Sequence, residues 1–354
     1  MNRYVKLALD EAREIDVDYV IIEMDTYGGA LNDADDIRTM ILEYDRPIYV
    51  FINRDAASAG ALISIACDSI YMAAGASIGA ATVVTAEGVA APDKYQSYMR
   101  SIMRSTAEAK GRDPKIAEAM VDESLEIEGI TEEGEVLTFS TSEAVQHGFC
   151  EGQRSSVDEV LTEAGIDDYQ LIEFTLGATE NIIAIFLNPV ISGILILVIV
   201  GGIYFELQTP GVGFPIVAAA IALVLYLTPY YLNGLAANWE IIMFFVGVLL
   251  IALEIFVIPG FGLAGISGIT MSVGSLILIM LNNDMFDFSF VGADEIFRAV
   301  LTTITGLLGS FILLFLGGVR LTTSKFFKRV ALEHVQDRKE GYTSTFRSES
   351  MLEK

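Results

Sequence analysis

Residues 186–319 are nearly uncharged and contain several apolar runs of about 20 residues, each long enough to cross the ~30 Å hydrocarbon core of a bilayer. No single water-soluble globule accommodates such a segment, so the chain is expected to divide. Residues 1–180 alternate apolar and charged stretches as a soluble domain does, residues 186–319 form a membrane domain of about five spans, and residues 320–354 are a basic tail. The formal net charge of −25 excludes nucleic acid as a partner, because a phosphate backbone would be repelled. Two cysteines, Cys67 and Cys150, allow at most one disulfide and leave the compartment open. The first residues lead into no apolar signal segment. Val5, Ala8, Leu9 and Ala12 instead fall at helical spacing, so the chain opens inside an amphipathic helix.

The first half reads as βα units. The β-branched runs at 17–25 and 46–53 each end in a small-residue turn followed by a helix, the pattern of a parallel sheet. Short strands are expected within 69–84, helices at 94–111 and 114–124, a strand and short helix within 133–149, and a last helix at 155–166. The expected spans are 186–207, 211–232, 239–258, 262–282 and 297–318. An internal echo joins "YFELQTPGVGFP" (204–215) to "ALEIFVIPGFGLAG" (252–265): a Glu, then Pro-Gly-x-Gly, between apolar runs. Glu206 and Glu254 are therefore either intramembrane proton or ion sites or structural caps near span ends. Arg320, Lys325, Lys328 and Arg329 follow the last span, whereas the loop before it carries Asp284, Asp287, Asp294 and Glu295. The excess of positive charge puts the tail in the cytoplasm, and five spans then put the soluble half on the other side. A re-entrant 252–282 hairpin is the alternative to two crossings there.

Catalytic options are narrow. Of two histidines, His334 lies in the tail and His147 at a helix end before Gly148, where a structural role is expected. No Cys/His spacing points to a metal and no phosphate loop to a nucleotide, so neither metal nor cofactor is expected. A lysine is the remaining base for a serine nucleophile, provided that its amine can be neutral. In "RDAASAGALIS", Ser58 opens a helix after a strand among residues too small to fill a core, which suits either close helix packing or room for a substrate. Lys94 opens the long helix at 94–111. Gly28 and Gly29 follow the first strand, where backbone N–H groups can face a ligand, and the Ala59 N–H is a second donor at a helix start. All of these follow strand ends, and in a parallel sheet such ends converge on one crevice.

Several stretches together, "IIEMDTYGGALNDADDIRTMI", "AASAGALIS", "ASIGAATVV", "DKYQSYMRSIMRSTAEAKGRD" and "VLTFSTSEAVQHGFCEG", resemble the NfeD family of membrane-bound, ClpP-class serine proteases, the stomatin-operon partners. The apolar half with "LEIFVIPGFGLAGISG" resembles that family's membrane region. The resemblance implies an α/β ClpP/crotonase-like domain followed by a multi-span helical membrane domain. It implies Ser58 as nucleophile, Lys94 as general base and Gly28 and Gly29 as the oxyanion turn, with Tyr27 where the family usually has Pro. It also implies a leading signal peptide and first strand and a trailing OB-fold barrel, so the chain reads as shortened at both ends.

The expected function is that of a membrane-anchored serine endopeptidase with a Ser58–Lys94 dyad and an oxyanion hole at Gly28, Gly29 and Ala59. Its substrates would be hydrophobic segments, of stomatin-like (SPFH) partners by the resemblance. The expected location is the plasma or inner membrane, among lipid, with the protease domain outside the cytoplasm, and the expected assembly is a homo-oligomer. The alternative is a non-catalytic scaffold that partners an SPFH protein. A crotonase-type acyl-CoA enzyme shares the sheet and the oxyanion logic, but the spans argue against it.

Overall fold

The computed structural model describes residues 2–208, 213–257, 262–281, 283 and 286–321. Residues 209–212 and 258–261, which hold all but the last glycine of the two Pro-Gly-x-Gly motifs, lie outside the described residues, as do His334 and the basic tail beyond residue 321. Two compact units divide the chain: residues 1–178 with 283–293, and residues 179–282 with those from 294 on.

The first unit begins with α1 (Asn2–Glu14), β1 (Val20–Thr26), α2 (Leu31–Leu42), β2 (Ile48–Ala57), α3 (Ala59–Ala66), β3 (Ser69–Met72) and β4 (Ser77–Gly79). It continues with α4 (Asp93–Ala109), α5 (Pro114–Ala119), β5 (Thr138–Ser140), α6 (Thr141–Gln146), β6 (Gly152–Gln153) and α7 (Val157–Glu163). β2 organises the sheet. Its first half pairs in parallel with β3 and its last three residues with β4, while β1 runs parallel along its other side. β6 adds in parallel to β3, and β5 closes the far side against β4 as the antiparallel strand. Ile48, Val50, Phe51 and Ile52 of β2 are all buried, as a parallel strand covered on both faces requires.

α4 buries Met99, Ile102, Met103, Thr106 and Ala107, the three-and-four spacing of one helical face. It stops where Gly111 takes φ +72°. α5 ends at Ala119, short of the expected 124. The cause is local: the Asp122 carboxylate accepts hydrogen bonds from the Ser124 N–H (3.0 Å) and hydroxyl (2.7 Å), a turn that competes with helix.

The second unit holds α8 (Ala178–Phe186), α9 (Pro189–Gln208), α10 (Phe214–Leu232), α11 (Asn238–Phe256), α12 (Leu263–Leu278) and α13 (Ala293–Leu321). Among the described residues four helices, α9, α10, α11 and α13, are long and apolar enough to cross a membrane. The expected fifth span is shorter: α12 has 16 residues, and at ~1.5 Å per residue it falls short of the ~30 Å core.

The echoed motifs explain each other. The Glu206 carboxylate accepts from the Gly213 N–H (3.0 Å), and that of Glu254 accepts from the Gly262 N–H. Gly213 and Gly262 are the N-cap residues of α10 and α12. Each glutamate thus reaches across a turn to cap the next helix, where its charge meets the positive end of the dipole. Of the two readings of these acids, the geometry supports capping. Between α11 and α12 the backbones nearly touch at Gly247 and Gly268: a Cβ added to Gly268 would sit 2.7 Å from the Gly247 carbonyl oxygen. Small residues permit such an approach where apolar lipid supplies little drive to associate.

Candidate active site

Ser58 sits between β2 and α3 with φ 55° and ψ −115°. An L-residue with a Cβ pays roughly 1–3 kcal/mol for such a conformation, which persists only where the surroundings impose it. Here they do. The Ser58 N–H donates to the Gly79 carbonyl (2.9 Å), its own carbonyl accepts from the Ala61 N–H (3.0 Å), and the β2–β4 pairing fixes the preceding residues. A strained strand-to-helix turn of this kind projects a side-chain oxygen away from the sheet and into the open. The small residues serve both purposes considered for them. Every residue of α3 is buried, and a Cβ on Gly60 would come within 2.6 Å of Thr26 Cγ2. Meanwhile Ser58 opens on a cleft of about 500 Å³.

Gly28 and Gly29 share that cleft with Ser58. Gly28 has φ +130°, and a Cβ there would meet Ser58 Cβ at 3.0 Å. Its N–H donates to Thr26 Oγ1 (3.2 Å). Among the described residues the N–H groups of Gly29 and Ala59 have no hydrogen-bond acceptor. A Cβ built on Gly29 would lie 3.9 Å from Ala59 Cβ, so the two residues neighbour each other, Ala59 on the first turn of α3. Such a pair can bind an oxyanion formed beside the Ser58 hydroxyl. Tyr27, Val84 and Val136 supply apolar wall, with Thr82 the polar side chain beside them. Thr26, Thr82 and Val136 were not singled out from the sequence; no signal there tied them to Ser58. Gly28→Val should lower the reactivity of Ser58 on the order of 10²-fold, since the new side chain displaces the serine by about its own radius. The rate of covalent labelling of Ser58, with circular dichroism as the folding control, checks this.

The structure does not bring Lys94 into the same cleft. Lys94 is exposed, lies outside the cleft lining, and holds its ammonium over the Tyr95 ring, 4.4 Å from the centroid. Asp93 points outward, 85% exposed, and pairs with Arg100 at 3.1 Å. The N-cap position is Pro92. Two other titratable side chains of this unit have structural partners. Lys110 pairs with Asp68 (2.8 Å), and His147 is the C-cap of α6, its ring stacked on Phe139. Among the described residues no group of three or more His, Cys, Asp or Glu is placed to hold a metal ion. Cys67 and Cys150 are both free and buried, and burial pushes their thiols up to about 12 and about 11.

A largely parallel α/β unit, joined to apolar helices long enough to span a bilayer, defines a class of two-part membrane protein. Comparison with known proteins makes this specific. Residues 1–174 match the family described as NfeD1b, N-terminal domain, and residues 190–319 match the NfeD integral membrane domain. The chain belongs to the NfeD family of membrane proteins. It is 31% identical over 342 residues to membrane protein NfeD1b of Bacillus subtilis, covering 96% of this chain and 75% of that protein. It is 24% identical over 302 residues to the membrane-bound protease PH1510 of Pyrococcus horikoshii, covering 78% of this chain and 64% of that protein. One similar solved structure is a lysine-to-alanine mutant of 1510-N, a membrane-bound stomatin-specific protease, with a substrate peptide. It has a TM-score of 0.43 and 21% identity, and the match covers 51% of this chain and 88% of that one. The chain is thus related to a membrane protease.

Proposed function

We propose that this protein is a membrane-anchored serine endopeptidase with Ser58 as nucleophile and Lys94 as general base. The observation that carries the reading is the backbone of Ser58 at φ 55°, ψ −115°, beside the unpaired N–H groups of Gly29 and Ala59. Strain of this order at a serine that opens on a cleft is the kind of feature that collects at active sites. In the reaction Ser58 Oγ attacks the peptide carbonyl carbon while its proton passes to the neutral Lys94 amine. The Gly29 and Ala59 N–H groups hold the oxyanion. Collapse breaks the C–N bond, Lys94 returns the proton to the leaving amine, and an ester to Ser58 remains. Water, deprotonated by the same amine, hydrolyses that ester. The apolar cleft wall at Tyr27, Val84 and Val136 suits hydrophobic substrate segments, and the relation to a stomatin-specific protease supports stomatin-like partners.

The exposed position of Lys94 favours the second reading, a non-catalytic scaffold for an SPFH protein. A serine-reactive phosphonate separates the two. The enzyme is labelled at Ser58; a scaffold stays unlabelled at every pH.

We infer a membrane topology from the placement of one loop. The loop 286–292 packs within the same unit as residues 2–178, so both lie on one side of the membrane, and the number of crossings between them is even. With α12 too short to cross, α9 and α10 crossing and an α11–α12 hairpin that enters and returns satisfy this. α13 then carries the chain to the other side, which the following Arg320, Lys325, Lys328 and Arg329 make the cytoplasm. Cys150 is too buried to report on this. Glu128 is exposed, so Glu128→Cys should react with an impermeant maleimide in intact spheroplasts. Reaction only after lysis would reverse the topology.

A further inference from the structure

Residues 286–292 join α12 to α13, yet they pack within the first unit, against the segment that carries Lys94. Three contacts converge there. The Tyr95 hydroxyl donates to the Asp287 carboxylate (3.1 Å), the Phe290 ring stands edge-on to the Tyr95 ring with centroids 4.9 Å apart, and the Ala86 N–H donates to the Ser289 carbonyl (3.3 Å). The loop is itself braced. Asp287 accepts from the Ser289 hydroxyl (2.6 Å) and N–H (3.0 Å), and these bonds, followed by the Tyr95 hydroxyl and the Lys94 charge, hold its carboxyl below the ordinary value.

What the loop grips is the part of the site that links Lys94 to the cleft. Residues 82–91 form a small hairpin, with Val84 bridged to Ala90 and the Thr85 N–H donating to Val89 (2.8 Å). Thr82 and Val84 at its base line the cleft of Ser58. The Gln96 amide bonds both the N–H (3.0 Å) and the carbonyl (2.6 Å) of Val83, so the hairpin and the first turn of α4 move as one piece. Tyr95 stands at the centre. Its hydroxyl is held by Asp287, its ring is packed by Phe290, and the same ring carries the Lys94 ammonium.

We propose that Tyr95 is a positioning residue for Lys94, and that Asp287 and Phe290 of the α12–α13 loop hold it so that Lys94 rests over the Tyr95 ring, outside the cleft of Ser58. A shift of α12 or α13 would release Tyr95, let the hairpin carry Lys94 inward, and switch the site on from the membrane side. The ammonium over the Tyr95 ring lies outside the cleft lining, so the resting contact opposes catalysis by position. This inference rests on the Ser58–Lys94 reading, but the resting contact can be measured without it.

The test uses the full chain in detergent micelles and two readouts: the rate of Ser58 labelling by a fluorophosphonate, and the rate of Lys94 modification by an amine-reactive anhydride, read by peptide mass mapping. Phe290→Ala and Tyr95→Ala should each raise both rates about three- to tenfold. Tyr95→Phe keeps the ring but loses the bond to Asp287 and should give a smaller rise; Phe290→Tyr keeps the edge contact and should match the parent. Phe290→Leu, which keeps most of the bulk, serves if Phe290→Ala fails to fold. An unchanged Lys94 modification rate in the folded Phe290 variant overturns the proposal. So does slower Ser58 labelling, since the loop would then be building the site instead of holding it at rest. If Ser58 is never labelled in any variant, the peptidase reading falls, and the Lys94 rate alone decides whether the loop holds Lys94.

Discussion

Ser58→Ala should abolish phosphonate labelling and lower peptide cleavage by at least about 10³-fold, with the fold and membrane insertion retained. The nucleophile is the one group that no water or neighbour replaces in a covalent route. The substitution leaves the Cβ and the Ser58 N–H bond to Gly79 in place, so the turn keeps its shape and its strain. Ser58→Gly is equally inactive but relieves that strain. The Cβ penalty at φ 55° is roughly 1–3 kcal/mol, and the extra freedom of glycine in the unfolded chain takes back about 0.5–1 kcal/mol. A net gain of about 1 kcal/mol corresponds to a rise of about 2–4 °C in the melting temperature of the first unit. Inactive Ser58→Gly melting above inactive Ser58→Ala would mean that strain is stored for function. Undiminished cleavage by Ser58→Ala would end the peptidase reading, and equal melting of the two variants would remove its physical basis.

How far the sequence reveals this structure depends on the range of the forces involved. The parallel core is legible because β2 is apolar on both faces, Ile48, Val50 and Ile52 on one and Phe51 on the other, whatever the connection. α4 is legible because Met99, Ile102, Met103 and Thr106 repeat at one helical spacing and a glycine follows. The family resemblance and the small residues around Ser58 indicate the same strand-end crevice, and the structure brings Gly28, Gly29 and Ser58 to it. The backbone angles of Ser58 are not legible, because the strain comes from Gly79 and β4, 20 residues on, and not from local propensity. The resting place of Lys94 is hidden for the same reason: the bond from Tyr95 to Asp287 spans 192 residues. The end of α12 is not legible because apolar residues continue past Leu278, and hydropathy does not register a helix that turns while still apolar.

Lys94→Arg should be nearly as inactive as Lys94→Ala. A general base here must accept the Ser58 proton as the oxygen attacks, and a guanidinium stays protonated throughout the accessible pH range. If Lys94 served only to bind substrate or hold charge, arginine would keep most of the activity. The two substitutions also separate the base from the resting contact. Arginine still stacks on an aromatic ring and still faces a carboxylate, so Lys94→Arg preserves the arrangement over Tyr95 and beside Asp287. Alanine removes it and frees the hairpin. Lys94→Ala should therefore show faster hydrogen exchange across residues 84–96 than Lys94→Arg, with both equally poor in Ser58 acylation. In the unsubstituted protein acylation should rise with pH, because only the neutral amine takes the proton and deprotonation also ends its attraction to the ring and to Asp287. One ionisation would then unlock the base and activate it. A flat pH profile, or an active Lys94→Arg, would assign the proton to another group. Lys110 would have to leave Asp68, or His147 its stack on Phe139, to take that part.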